Sequence, residues 1–197
     1  MSYATIEHQL TALLRLRRRP VAVAYRDAPP PGVERLGEAQ PSGCSFWRLA
    51  GDGRTFYTRP ADHYNCAVGS YTHNIPLPAD RAHELQQTLE LMTGAGYLKM
   101  EEVEHMPRLR RTPGVVIYAP LGDTPVDPDV VLFTGLPGRV MLLQEAATRA
   151  GVASRLPLLG GPPAWRCPRR SPRARRPARA ASETASTRAC RMTSCTS

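Results

Sequence analysis

Cys44, His63 and Cys66 are the residues whose types and spacing invite chemistry. Both thiols lie in a sequence with no export signal at its start, a setting in which cysteines stay reduced and serve as buried thiols, redox groups or metal ligands. His63 precedes Cys66 by three residues, so a single turn can bring imidazole and thiol together. That pairing suits metal ligation, or a thiolate stabilised by an adjacent imidazolium and a helix N-terminus. The structural alternative is that Asp62 caps a helix, His63 hydrogen-bonds locally and Cys66 packs inside. Both readings stand on the residues alone. The remaining cysteines, Cys167, Cys190 and Cys195, fall in a different kind of sequence, and no Cys-x-x-Cys pair supports a zinc ribbon or a thioredoxin-like motif.

Other signatures are absent or bland. Gly51-Asp52-Gly53 and Gly94-Ala95-Gly96 are turn and cap signals that lack the Lys-Ser/Thr pair of a phosphate loop. There is no Gly-x-Ser-x-Gly elbow and no His-Glu-x-x-His. Glu101, Glu102, Glu104 and His105 read as a solvated face of a short helix, and His8 and His83 as exposed helix positions; His73 has no partner visible in the sequence. Phe46, Trp47, Tyr57, Tyr64 and Tyr71 gather around the cysteine segments, where they can wall a small-molecule pocket or simply form core.

The elements that must position these residues are legible by period. Ile6, Leu10, Leu13 and Leu14 predict a helix over 4–17 that ends at Pro20, and Val21 to Tyr25 a buried strand. A short helix is expected over 43–50, with Ser42 as its N-cap and Gly51 as its stop. A strand follows at 55–58, and residues 62–71 read as a loop running into a helix start. Helices are expected over 78–92, 100–105 and 138–150, and strands over 114–119 and 130–134. Strands alternating with helices predict an α/β or α+β fold, a single domain with a mixed sheet flanked by helices. No stretch is apolar enough to span a bilayer, so the sequence predicts a cytoplasmic protein without a membrane partner.

The chain carries a net charge of +9, yet residues 161–197 alone hold nine arginines against the single carboxylate of Glu183. Residues 1–160 balance 17 basic against 16 acidic groups. The expected organisation is therefore a globular domain over 1–160 and an unstructured Arg/Pro/Ala/Ser tail over 161–197. Basic clusters can neutralise phosphates, but this tail lacks aromatic interleaving beyond Trp165, so nucleic-acid binding ranks last among the readings.

Several segments together resemble one family: Arg19-Pro20-Val21-Ala22-Val23, Gly43-Cys44-Ser45-Phe46-Trp47-Arg48-Leu49-Ala50, Asp62-His63-Tyr64-Asn65-Cys66-Ala67-Val68-Gly69, Tyr118-Ala119-Pro120-Leu121 and Asp127-Pro128-Asp129-Val130-Val131. Over about Arg19 to Gly160 the chain is similar to the domain of unknown function 169 family, also called ArCR. The resemblance implies a later Gly-Arg-Pro-Thr-Cys segment and a Gly-Cys-Ile-Gly-Asn-Arg segment, and the chain has neither. Codons compatible with Gly161 to Pro168 nevertheless read Arg-Pro-Thr-Cys-Met-Ala-Leu-Pro in the neighbouring frame. Those of Ala180 to Thr196 begin Gly-Cys-Ile-Gly-Asn-Arg in that same frame. The tail therefore reads as frameshifted after about Gly160, which removes its charge and its three cysteines from the functional argument. In intact relatives the two concealed cysteines would join Cys44 and Cys66 as four thiols, enough for an iron-sulfur cluster or a zinc ion. A metal set of Cys44, Cys66 and His63 and a redox or cofactor-related role are the expectation for those relatives, and no cofactor is expected in this chain, where two ligands are missing. The alternative is a small-ligand-binding domain without metal, its cysteines structural.

Overall fold

The computed structural model describes residues 1–103 and 105–151. The boundary expected at residue 160 and the tail over 161–197 lie outside the described residues. Six α-helices and four strands follow one another in the order α1 (Tyr3–Leu14), β1 (Val21–Arg26), α2 (Gly43–Gly51), β2 (Phe56–Thr58), α3 (Ala67–Thr72), α4 (His83–Gly94), α5 (Met100–Val103), β3 (Val115–Pro120), β4 (Val130–Leu132) and α6 (Pro137–Arg149). Tight 3₁₀ turns at Pro60–His63, Ala79–Arg81 and Leu121–Asp123 connect them.

The strands form one sheet in the order β2-β3-β1-β4, with every neighbour antiparallel. The expected combination of helices and sheet is present. Parallel pairing among the described residues is confined to an isolated bridge between Arg35 and Tyr57 on the outer side of β2. β1 and β3 are central because β3 throughout and β1 over residues 21–24 are apolar and buried, as strands covered on two faces must be.

Register then sorts side chains by face, since successive residues point to opposite sides of a sheet. Val23 opposes Tyr118, so Val21, Val23, Val116 and Tyr118 share a face, on which Phe46 and Ala50 of α2 pack. Ala24, Val115 and Ile117 face the other way, against Tyr57 and Val126. A second cluster of Val68, Leu98 and Met106 joins α3 to α4 and α5 through Cys44, Trp47, Tyr71 and Leu89.

Helix limits differ from the period-based expectation at α5, which ends at Val103 and not at residue 105, and more widely at α1 and α4. α1 stops at Leu14, because Arg15 adopts a left-handed backbone (φ 50°) and its N–H bonds back to Thr11 C=O. This is a closure that usually uses glycine and leaves no sequence signal at an arginine. Leu16 then turns inward, and its N–H shares the same Thr11 carbonyl. The helix expected over 78–92 opens as the 3₁₀ turn Ala79–Arg81, becomes α-helical only at His83 and runs to Gly94.

Candidate functional site

The chemistry-bearing residues sit where β2 leads through the Pro60–His63 turn into α3. Period two places Phe56 and Thr58 on the inner face of β2, and both are buried. Thr58 Oγ1 donates to Val116 C=O at 3.3 Å, so its single proton is spent there and it must accept from His63 Nε2 at 2.8 Å. That relay fixes His63 as the tautomer protonated on Nε2. His63 Nδ1 is left with a bare lone pair, buried and without a hydrogen-bond partner among the described residues.

Asp62 caps the turn from outside. Its carboxylate accepts from the Arg59 N–H at 2.7 Å and takes both forks of the Arg35 guanidinium at 3.1 and 2.5 Å. Burial alone would raise its pKa. The hydrogen bonds from Arg35 and Arg59 outweigh that and hold it below the usual carboxylate value.

His63 is only 1 % exposed. Its ring lies 4.9 Å from Phe46, 5.3 Å from His73 and 6.4 Å from Tyr118, centroid to centroid. His73 closes α3: its Nδ1–H donates to Gly69 C=O at 2.7 Å, and its ring meets Tyr25 edge-on at 5.6 Å. Burial, reinforced by the neighbouring His73, pushes His63 down to about 3. Burial also lowers His73, opposed by its bond to Gly69. Both imidazoles are therefore neutral at pH 7.

Cys66 is tied to this core by backbone. Its N–H and the Ser70 hydroxyl both donate to His63 C=O, at 3.0 and 2.9 Å. The Cys66 sulfur caps α3 by accepting from the Gly69 N–H at 3.3 Å. It also abuts the first turn of α2: a side chain added at Gly43 would place its Cβ 3.9 Å from this sulfur. Gly43 adjoins Cys44, so two thiols 22 positions apart in sequence are brought to adjoining helix starts, both half-buried and neither in a disulfide among the described residues.

Of the three residues singled out by spacing, the thiols share one locality, while the His63 ring is engaged by Thr58 and the aromatic core. Among the described residues, no group of three or more His, Cys, Asp or Glu side chains is arranged to hold a metal ion. The aromatic set does not form a single wall. Phe46 stacks with Tyr118 in the main core, Tyr57 packs on the opposite face of the sheet, Tyr71 packs on the second cluster, and Trp47 touches both the main core and the second cluster. Thr58, Ser70 and His73 were not singled out by the sequence. Period two in β2 was a usable signal for Thr58; His73 has none, since its ring partners come from β1 and from the Pro60–His63 turn.

The arrangement joins a Cys-x-Phe-Trp helix start to a His-x-x-Cys-x-Val-Gly helix start, and residues 9–156 match the uncharacterised ArCR family, domain of unknown function 169, as a whole. The chain belongs to the ArCR family. The matched span begins ten residues before Arg19, where the motif resemblance starts, and ends four short of Gly160. No curated protein and no solved structure matches the chain. Among the described residues no helix is long and apolar enough to cross a membrane.

Proposed function

We propose that this ArCR chain carries half of a thiolate metal centre, with Cys44 and Cys66 as two ligands and two later cysteines of an uninterrupted family member completing it. The observation that carries the reading is the Cys66 sulfur lodged against the turn that begins Gly43-Cys44. Thiolates are soft ligands, and four of them satisfy tetrahedral zinc or an iron-sulfur cluster. Such a centre would supply either a structural clamp or one-electron chemistry, hence a redox or cofactor-related role. In this reading His63 is a support. Its carbonyl holds Cys66 and Ser70, and its ring anchors the segment to β2 through Thr58. With two of four ligands, the present chain binds metal weakly or not at all.

The test is anaerobic purification of the chain with its reading frame restored after Gly160, followed by metal analysis and a visible spectrum. Bound zinc or iron should be present there, fall sharply in Cys44→Ser and Cys66→Ser, and be nearly absent from the present chain. A colourless, metal-free restored protein, or serine variants that retain metal like the parent, overturns the reading. The second reading, a small ligand held without metal, is favoured by a separate observation, an apolar groove beside α3.

A further inference from the structure

The groove runs along α4. One end, about 160 Å³, is bounded by Tyr71, Ile75, Leu77 and Leu85; the other, about 450 Å³, by Leu85, Leu89 and Met100. Ala82 and Leu85 line both, so the two hollows adjoin along α4. Residues 82 to 90 of this wall rise about 12 Å at roughly 1.5 Å per residue. α4 has no fully buried residue, although Leu85, Leu89 and Met92 repeat along one side of it. The volume is that of a small-molecule site, which is usually apolar with a few placed polar groups.

The polar group at the first end is Arg108. Its guanidinium carbon lies 4.7 Å above the Tyr71 ring, and no carboxylate among the described residues is within ion-pair distance of it. The nearby cation Arg81 is committed, gripping Glu84 with two hydrogen bonds at 2.6 and 2.9 Å. The acidic side chain at the groove, Glu90, lies at the opposite end. A cation held over an aromatic ring at one end of an apolar groove is complementary to an anionic head carrying an apolar tail.

We infer that the α4 groove binds a medium-chain carboxylate, its head on Arg108 and its tail along Leu85, Leu89 and Met100. This site is independent of the thiolate reading and stands if that reading fails. It also shares Tyr71 and Leu89 with the cluster that packs Cys44, so an occupied groove would bear on the thiol side of the molecule.

Calorimetric titration of the full chain with decanoate tests the site. Saturable one-to-one binding is expected, weakened about tenfold or more in Arg108→Gln, largely recovered in Arg108→Lys, and abolished in Leu85→Glu, while neutral decanol binds about tenfold less tightly. Arg108 is exposed and Leu85 half-buried, so these variants should fold, which circular dichroism checks. Absence of saturable binding overturns the inference. So does binding unchanged in Arg108→Gln, which would trace it to other arginines such as those of residues 161–197, and so does decanol binding equal to decanoate. A concentration-dependent dimer dispersed by Leu85→Glu, without decanoate binding, overturns it in favour of a second copy as occupant.

Discussion

A single hydrogen atom on Gly69 decides where the Cys66 sulfur can sit. A methyl group there would lie 2.9 Å from that sulfur and 3.3 Å from the cysteine Cβ. Alanine is worth about 1 kcal/mol more than glycine in a helix interior, so Gly69→Ala should stabilise α3 if propensity alone mattered. Steric exclusion opposes this. The thiol must rotate away, losing the N–H bond it accepts at 3.3 Å and exposing the first turn of α3. We expect Gly69→Ala to lower stability by about 1 kcal/mol and to speed alkylation of Cys66 several-fold, read by peptide-resolved mass spectrometry so that the other cysteines do not interfere. Gly43→Ala is the internal control, because its added carbon meets the same sulfur at an ordinary 3.9 Å. Equal behaviour of the two variants would show that Gly69 does not position the thiol.

The segment from β2 to α3 is held by polar groups inside an apolar box, and that makes it sensitive to acid. His63 and His73 both have folded pKa values below the ordinary 6.5, and His63 is down at about 3. Below pH 6.5 the unfolded chain takes up protons that the folded one refuses, so stability is complete above that pH and falls as pH drops toward 3. His63 contributes a slope of about 1.4 kcal/mol per pH unit in that window, and His73, also lowered by burial, acts in the same direction. Urea unfolding at pH 5 and 6 should therefore show proton uptake that falls by about one in His63→Phe, which keeps the ring volume beside Phe46. No change in slope would mean that His63 is not buried neutral. The β1–β3 pair carries a different constraint: a Cβ on Gly114 would lie 2.2 Å from the Asp27 carbonyl oxygen, which is backbone and cannot yield. Gly114→Ala should thus prise the pair apart at a cost on the order of 3 kcal/mol, visible as a lower urea midpoint; a midpoint like that of the parent would refute the close approach. These elements show what was legible. Strands and helices followed hydrophobic period, so β1, α2, β3 and α6 lie within a residue or two of their expected limits. The direction of the His63 ring was not legible, because it depends on Thr58 accepting a hydrogen bond from it and on Phe46 and Tyr118 converging from α2 and β3. The end of α1 was illegible for a local reason, a left-handed arginine doing what glycine usually does.

At the scale of the molecule, the two edges of the sheet are treated differently. β2 is shielded on its outer side, where Tyr57 exchanges backbone hydrogen bonds with Glu34 and Leu36. β4 is a three-residue strand that, among the described residues, pairs with β1 alone, and its Val131 is 38 % exposed. The helix that follows repeats the pattern: α6 has no fully buried residue, while Met141 and Leu142 are 51 and 59 % exposed and Leu136, just before it, is 59 % exposed. An open strand edge beside exposed apolar side chains favours association with another chain. Since these side chains lose little contact when replaced, Met141→Lys with Leu142→Glu should raise soluble yield and reduce binding of a hydrophobic dye, leaving the thermal midpoint within a degree or two, as surface changes usually cost less than about 0.5 kcal/mol. The converse result is equally informative. A clear fall in the midpoint would show that this face is covered in the folded molecule, and the surface drawn here as open would then be an interior one.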